Sequence, residues 1–196
     1  MLTLYTPPEP PPVDRREIFR YAHVADEDAR TELSPLLDRA LEEMLPLITY
    51  RAVYARLPVR RTEDTLDLTF SVTRSRALAA NLQNADEIVL FAATVGLGAD
   101  RLIARHAARA PSYALLLDAI ADERIEALAD SLCATFSDGY TLSPRFSPGY
   151  GDLPLDLQRD VFNYLDCARK IGLHLNESLL MSPAKSVTAL FGITSK

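Results

Sequence analysis

The sequence has only two cysteines, Cys133 and Cys167, and three histidines, His23, His106 and His174. The cysteines are far apart, each in a segment of helical pattern and neither in a CxxC pair, so the expectation is two buried thiols rather than a disulfide framework or a redox motif. The histidines are equally scattered. No His/Cys/Asp/Glu grouping has metal-ligand spacing such as HExxH, and no protein-ligated metal is expected. A long basic run is also missing, and the net charge is −6. The counterion release that drives most nucleic-acid affinity therefore has no footprint, and no nucleic-acid partner is expected. No apolar run reaches the roughly 20 residues that span a bilayer. The N-terminus has no basic segment leading into an apolar stretch and cleavage site. A cytoplasmic protein without membrane attachment is the resulting expectation.

What is present fits one globular domain. The 196 residues are 48% apolar and 24% charged, enough to bury about 70% of the unfolded surface around a single core. Residues 1–14 carry Pro7, Pro8, Pro10, Pro11 and Pro12, a density that favours extended conformation and removes backbone donors, so they read as a Pro-rich arm ahead of a domain over 15–196.

Beyond the arm, Ser34 and Pro35 have the chemistry of a helix start, followed by Leu37, Leu41, Met44, Leu45 and Ile48 at helical spacing. The alternation in 65–70 places Leu66, Leu68 and Phe70 on one face of a half-buried strand. The continuous apolar run 88–93 suits a central strand. Helices are predicted over 100–108, from Pro111 to about Phe136, and over 158–170 with Gly172 as the stop. The long helix carries Leu115, Ala119, Asp122, Glu126 and Ala129 near one face, so two acidic groups share a stripe. The segment 137–157 holds the densest turn chemistry, and 186–191 closes the chain as a strand. Strands and helices mix without regular βαβ alternation, which favours an α+β fold with a mixed or antiparallel sheet flanked by helices.

Two motifs carry more than fold. Residues 145–152 read RFSPGYGD, and 24 residues after Asp152 the chain continues NESLLMSPAKSVTALFG from Asn176. Arg145 offers a planar fork of donors for a carboxylate, Pro148 fixes φ, Gly149 admits close backbone approach, and Tyr150 adds a ring and a hydroxyl. Alone, this describes an arginine beside a Pro-Gly turn as well as it describes a binding site.

Together the motifs resemble the activation domain of vitamin B12-dependent methionine synthase, in a stand-alone form, and the likeness extends over about 74–193. Upstream, only the Arg20-Tyr21 region resembles stand-alone members. The resemblance implies S-adenosylmethionine binding by Arg145, Ser147 (through main chain), Gly149 and Tyr150, with Glu126 facing the ammonium and Glu177 and Ser178 supporting the loop. It implies no catalytic acid or base, because the cobalt of a corrinoid is itself the nucleophile toward the sulfonium methyl. The family's corrinoid-binding motif is absent, so cobalamin is expected on a partner, a methionine synthase lacking this domain, with a flavodoxin or ferredoxin as reductant.

An aspartate that contacts ligand near the domain start of the full-length enzymes has no counterpart recognisable in 15–60, and their tyrosine pair beyond the last strand is missing. Lys185 replaces a small residue and reads as an exposed charge. Two other readings compete: an independent Rossmann-type methyltransferase, prompted by Gly96-Leu97-Gly98 after an apolar strand, and a scaffold that has lost its ligand.

Overall fold

The computed structural model describes residues 1–196. In chain order the first half comprises β1 (Thr3–Tyr5), α1 (Arg15–Tyr21), α2 (Glu27–Met44), β2 (Arg51–Pro58), β3 (Arg60–Arg61), β4 (Leu66–Asp67), β5 (Val72–Thr73), α3 (Arg76–Asn81) and β6 (Glu87–Thr94). The second half comprises α4 (Leu97–Ala107), α5 (Pro111–Ser137), β7 (Tyr140–Leu142), α6 (Leu157–Leu165), α7 (Cys167–Ile171), β8 (His174–Leu175), β9 (Met181–Ser182) and β10 (Ser186–Ser195). No helix is long and apolar enough to cross a membrane.

The main sheet has the order β1-β2-β6-β10-β7, and every pairing in it is antiparallel. Strand β6 sits at its centre, between β2 and β10. Val89, Phe91 and Ala93 face one core, shared with α1, α2, α4 and α5, while Ile88, Leu90 and Ala92 face a second core, shared with α3, α6 and α7. Burial on both faces is why this strand is continuously apolar instead of alternating. The α+β architecture with an antiparallel sheet between helical layers is the one the sequence predicts.

Several boundaries differ from the expectations for physical reasons. Helix α2 begins at Glu27, not near Ser34, because Asp26 caps it by accepting the Ala29 N–H at 2.9 Å. Pro35 lies inside the helix on an exposed position, where the carbonyl it leaves unpaired can reach water. The predicted strand over 65–70 is paired only at Leu66–Asp67, since Thr69 turns to φ +72° with its N–H on Asp67 Oδ1. Leu66 and Leu68 are buried as the alternation requires. The helix expected over 158–170 breaks at Asp166, in the left-handed conformation, into α6 and α7.

The Gly96-Leu97-Gly98 segment is a tight strand-to-helix turn. Gly96 has φ +88°, and a Cβ there would lie 2.0 Å from Thr49 Oγ1. A Rossmann-type dinucleotide fold needs parallel strands around such a turn, and the antiparallel sheet excludes it.

The proline arm is not a free tether. Residues 3–5 pair with β2 at the sheet edge, and the Pro11 and Pro12 carbonyls are held by Arg124 of α5.

Candidate functional site

The site is assembled on α5, a 27-residue helix opened by Pro111 in its first turn. Asp118, Asp122, Glu126 and Asp130 recur every fourth residue, so they form one acidic ridge along a single helix face. Two cations meet this ridge, one from the residue before β10 and one from the loop that pairs with β10. Lys185 reaches Asp118 at 2.9 Å and Asp122 at 2.6 Å, and Arg145 reaches Glu126 at 2.7 Å and Asp130 at 3.0 Å.

Arg145 is held by a loop with its own internal bonding. Phe146 and Leu190 exchange backbone hydrogen bonds of 2.8 and 2.9 Å, which fasten the loop to β10. The Tyr150 N–H donates to the Ser147 carbonyl at 3.0 Å, and the Gly149 N–H to the Leu153 carbonyl at 2.9 Å. Gly149 and Gly151 adopt φ +92° and +54°, and a Cβ on Gly151 would lie 2.9 Å from that of Ala77. Asp152 ends the loop against α3, accepting the Ser75 hydroxyl, the Arg76 N–H at 2.8 Å and the Ala77 N–H at 3.2 Å. These donors, the Ser75 hydroxyl foremost, hold its carboxyl below the ordinary aspartate range.

A groove of about 890 Å³ opens between α5, α1, the proline arm and Arg145. Its acidic lining residues are Glu9, Asp14, Glu17, Glu123, Glu126 and Asp130, against the cations Arg20 and Arg145. Arg145 spends Nη2 on the two ridge carboxylates, while Nη1 is buried without a hydrogen-bond partner. A buried guanidinium nitrogen calls for an acceptor, and no neighbouring group supplies one to Nη1. Tyr21 also lines the groove, with the Arg20 guanidinium 4.2 Å from its ring centroid. Burial, and secondarily the Glu126 charge, raise its hydroxyl above the ordinary tyrosine value.

The residues expected from sequence separate into three places. Arg145 and Glu126 meet at the groove. Ser147, Gly149 and Tyr150 shape the loop behind Arg145 without lining the groove, and Tyr150 is exposed, edge-on to Phe146. Glu177 and Ser178 lie on the exposed β8–β9 turn, where the Glu177 carbonyl accepts Arg159 Nη2 at 2.7 Å. This bond ties the turn to α6.

Lys185 is likewise not a free surface charge. Its side chain is 14% exposed, and although burial works against its charge, bonds to Asp122 and Asp118 raise it above the ordinary lysine value. Sequence reasoning missed Asp14, Glu17 and the proline segment as groove residues. The available signal was Asp14 itself, a helix cap two residues after the last proline of the arm: it accepts the Arg16 and Glu17 N–H groups.

Fold and site together define an α+β domain with an acidic groove and one arginine whose Nη1 is buried without a hydrogen-bond partner. The family model of the vitamin B12 dependent methionine synthase activation domain matches residues 76–195, and the chain belongs to that family. Among solved structures, the crystal structure of the MetH reactivation domain bound to AdoHcy is similar, with a TM-score of 0.71 and 20% sequence identity. The similarity covers 98% of this chain and 78% of that one. It establishes a shared fold that includes the N-terminal third, which the family model leaves out. No curated protein sequence matches the chain.

Proposed function

We propose that the groove binds S-adenosylmethionine and that the protein presents its methyl group to cobalamin carried by a separate methionine synthase. The observation that carries this reading is the buried, unpartnered Nη1 of Arg145, a residue that lines a groove carrying six carboxylates. An amino-acid carboxylate satisfies the guanidinium, while the ammonium and sulfonium of the same ligand suit Glu126, Asp130 and Asp14. Asp14 takes the part of the domain-start aspartate that the family resemblance implies. The volume lies within the range of small-molecule pockets, about 300–1,000 Å³. The AdoHcy in the similar reactivation domain is the demethylated form of this ligand.

Cobalamin, when bound to the partner, supplies the metal-centred nucleophile, so this chain has to bind, align and shield the methyl donor. The methyl transfer moves no proton, so in this reading the carboxylates at the groove act through their charge and not as acid or base. Ser147 and Gly149 act in this reading as loop formers behind Arg145, and Glu177 and Ser178 belong to a turn that a partner can contact. A flavodoxin- or ferredoxin-type protein supplies the electron.

The test is reactivation of a methionine synthase lacking its own activation domain, trapped as cob(II)alamin, with reductant and S-adenosylmethionine present. Adding this protein should restore methylcobalamin, read from the visible spectrum. Equal recovery without it contradicts the proposal.

A further inference from the structure

One wall of the groove is made of Pro8, Glu9, Pro10, Pro11 and Pro12. Four of these five residues have no N–H, so the segment can be fixed to the body mainly through its carbonyls. Arg124 supplies the donors. Its Nη1 reaches the Pro11 carbonyl and its Nη2 the Pro12 carbonyl, both at 2.7 Å. The side chain is 1% exposed, and Glu123 takes the remaining edge with both oxygens, Nε to Oε2 at 2.5 Å and Nη2 to Oε1. Glu123 Oε1 also accepts the Asp14 N–H at 3.0 Å, where the arm becomes α1. Farther out, the Tyr5 hydroxyl bonds the Ser131 hydroxyl of α5 at 2.7 Å.

The same helix therefore carries the ligand-facing carboxylates Glu126 and Asp130 and, one turn earlier, the pair that grips the opposite wall. The structure assigns to Arg124 the role of a positioning residue that fixes the proline arm across the groove from Arg145 and, through the arm, sets the affinity of the groove for its ligand. This rests on the reading that the groove binds an S-adenosyl ligand. Lysine cannot replace Arg124, because a single ammonium cannot span two carbonyls and a bidentate carboxylate in one plane.

The test titrates S-adenosylhomocysteine into the wild type and Arg124→Lys by calorimetry, with amide exchange followed at Asp14, whose N–H is held by Glu123. The lysine variant should bind at least about tenfold more weakly. Exchange should quicken at Asp14 but stay unchanged in β6 and β10. Equal affinity, or weaker binding with Asp14 as protected as before, overturns the assignment. If the variant does not fold, the wild type decides: ligand must slow exchange at Asp14, and no slowing overturns it. A wild type that takes up no ligand overturns the ligand reading and this assignment together, whereas a binding wild type with an unaffected variant overturns only this one.

Discussion

The two ends of the acidic ridge on α5 use the same chemistry for different ends. At the Lys185 end, one ammonium sits between Asp118 and Asp122, is largely buried, and has its charge answered. At the Arg145 end, Glu126 and Asp130 are 42% and 73% exposed, and the guanidinium keeps one buried nitrogen without a partner. The lysine end is a closed tie between β10 and the helix, and the arginine end is a tie with a donor left over. Carboxylate–cation pairing by itself does not mark a site. The proposed site is distinguished by the unpartnered nitrogen at its arginine.

The comparison breaks most sharply if Arg145 is removed. Arg145→Ala should weaken S-adenosylmethionine binding by about 2 kcal/mol or more, roughly 30-fold. Its melting temperature should barely move, because the exposed carboxylates it leaves are solvated. Next in size, Lys185→Met should cost about 1 kcal/mol of stability, since the cation lost is largely buried but Asp118 and Asp122, 43% and 37% exposed, stay partly solvated, with ligand affinity unchanged in the same titration.

The pH dependence of that tie has a definite sign. The folded pKa of Lys185 is raised, so its contribution is complete below the ordinary lysine value and disappears as pH climbs through the higher folded one. Chemical denaturation of wild type against Lys185→Met should converge only at strongly alkaline pH. Convergence near neutrality contradicts the assignment.

Gly151→Ala tests whether loop geometry supports Arg145. The left-handed φ of +54° costs an alanine about 1–2 kcal/mol, and contact with Ala77 adds to it, so both melting temperature and affinity should fall. An unchanged affinity would separate the loop from the groove. The smallest effect concerns Cys133, whose thiol is pushed up to about 11 by burial and drawn partly back by the Arg145 charge. Arg145→Ala should make this thiol react more slowly with a soluble disulfide reagent at pH 8.

The central strand, the long helix and the closing strand are legible in the sequence because periodicity carries them, whereas Glu126 is placed beside Arg145 only by the family resemblance and their ion pair is visible only in three dimensions. The role of the proline arm is not. Proline density reads alike in a free tether and in a wall gripped by carbonyls, and the grip comes from Arg124, more than a hundred residues away. Glu123 and Arg124 are neighbours that on most helices would face water, and only the three-dimensional packing buries them. Lys185 misleads for the same reason, since its partners lie 63 and 67 residues upstream. Helix starts shift because capping side chains such as Asp26 outweigh a downstream Ser-Pro signal.

The account depends on the spare nitrogen of Arg145 receiving a ligand carboxylate while its other nitrogen keeps Glu126. Nitrogen-15 resonances of the Arg145 guanidinium, followed as S-adenosylhomocysteine is added, test this directly. The Nη1 signal should shift and its protons exchange more slowly, with Nη2 little changed. Saturable binding that leaves both nitrogens where they were would contradict the account.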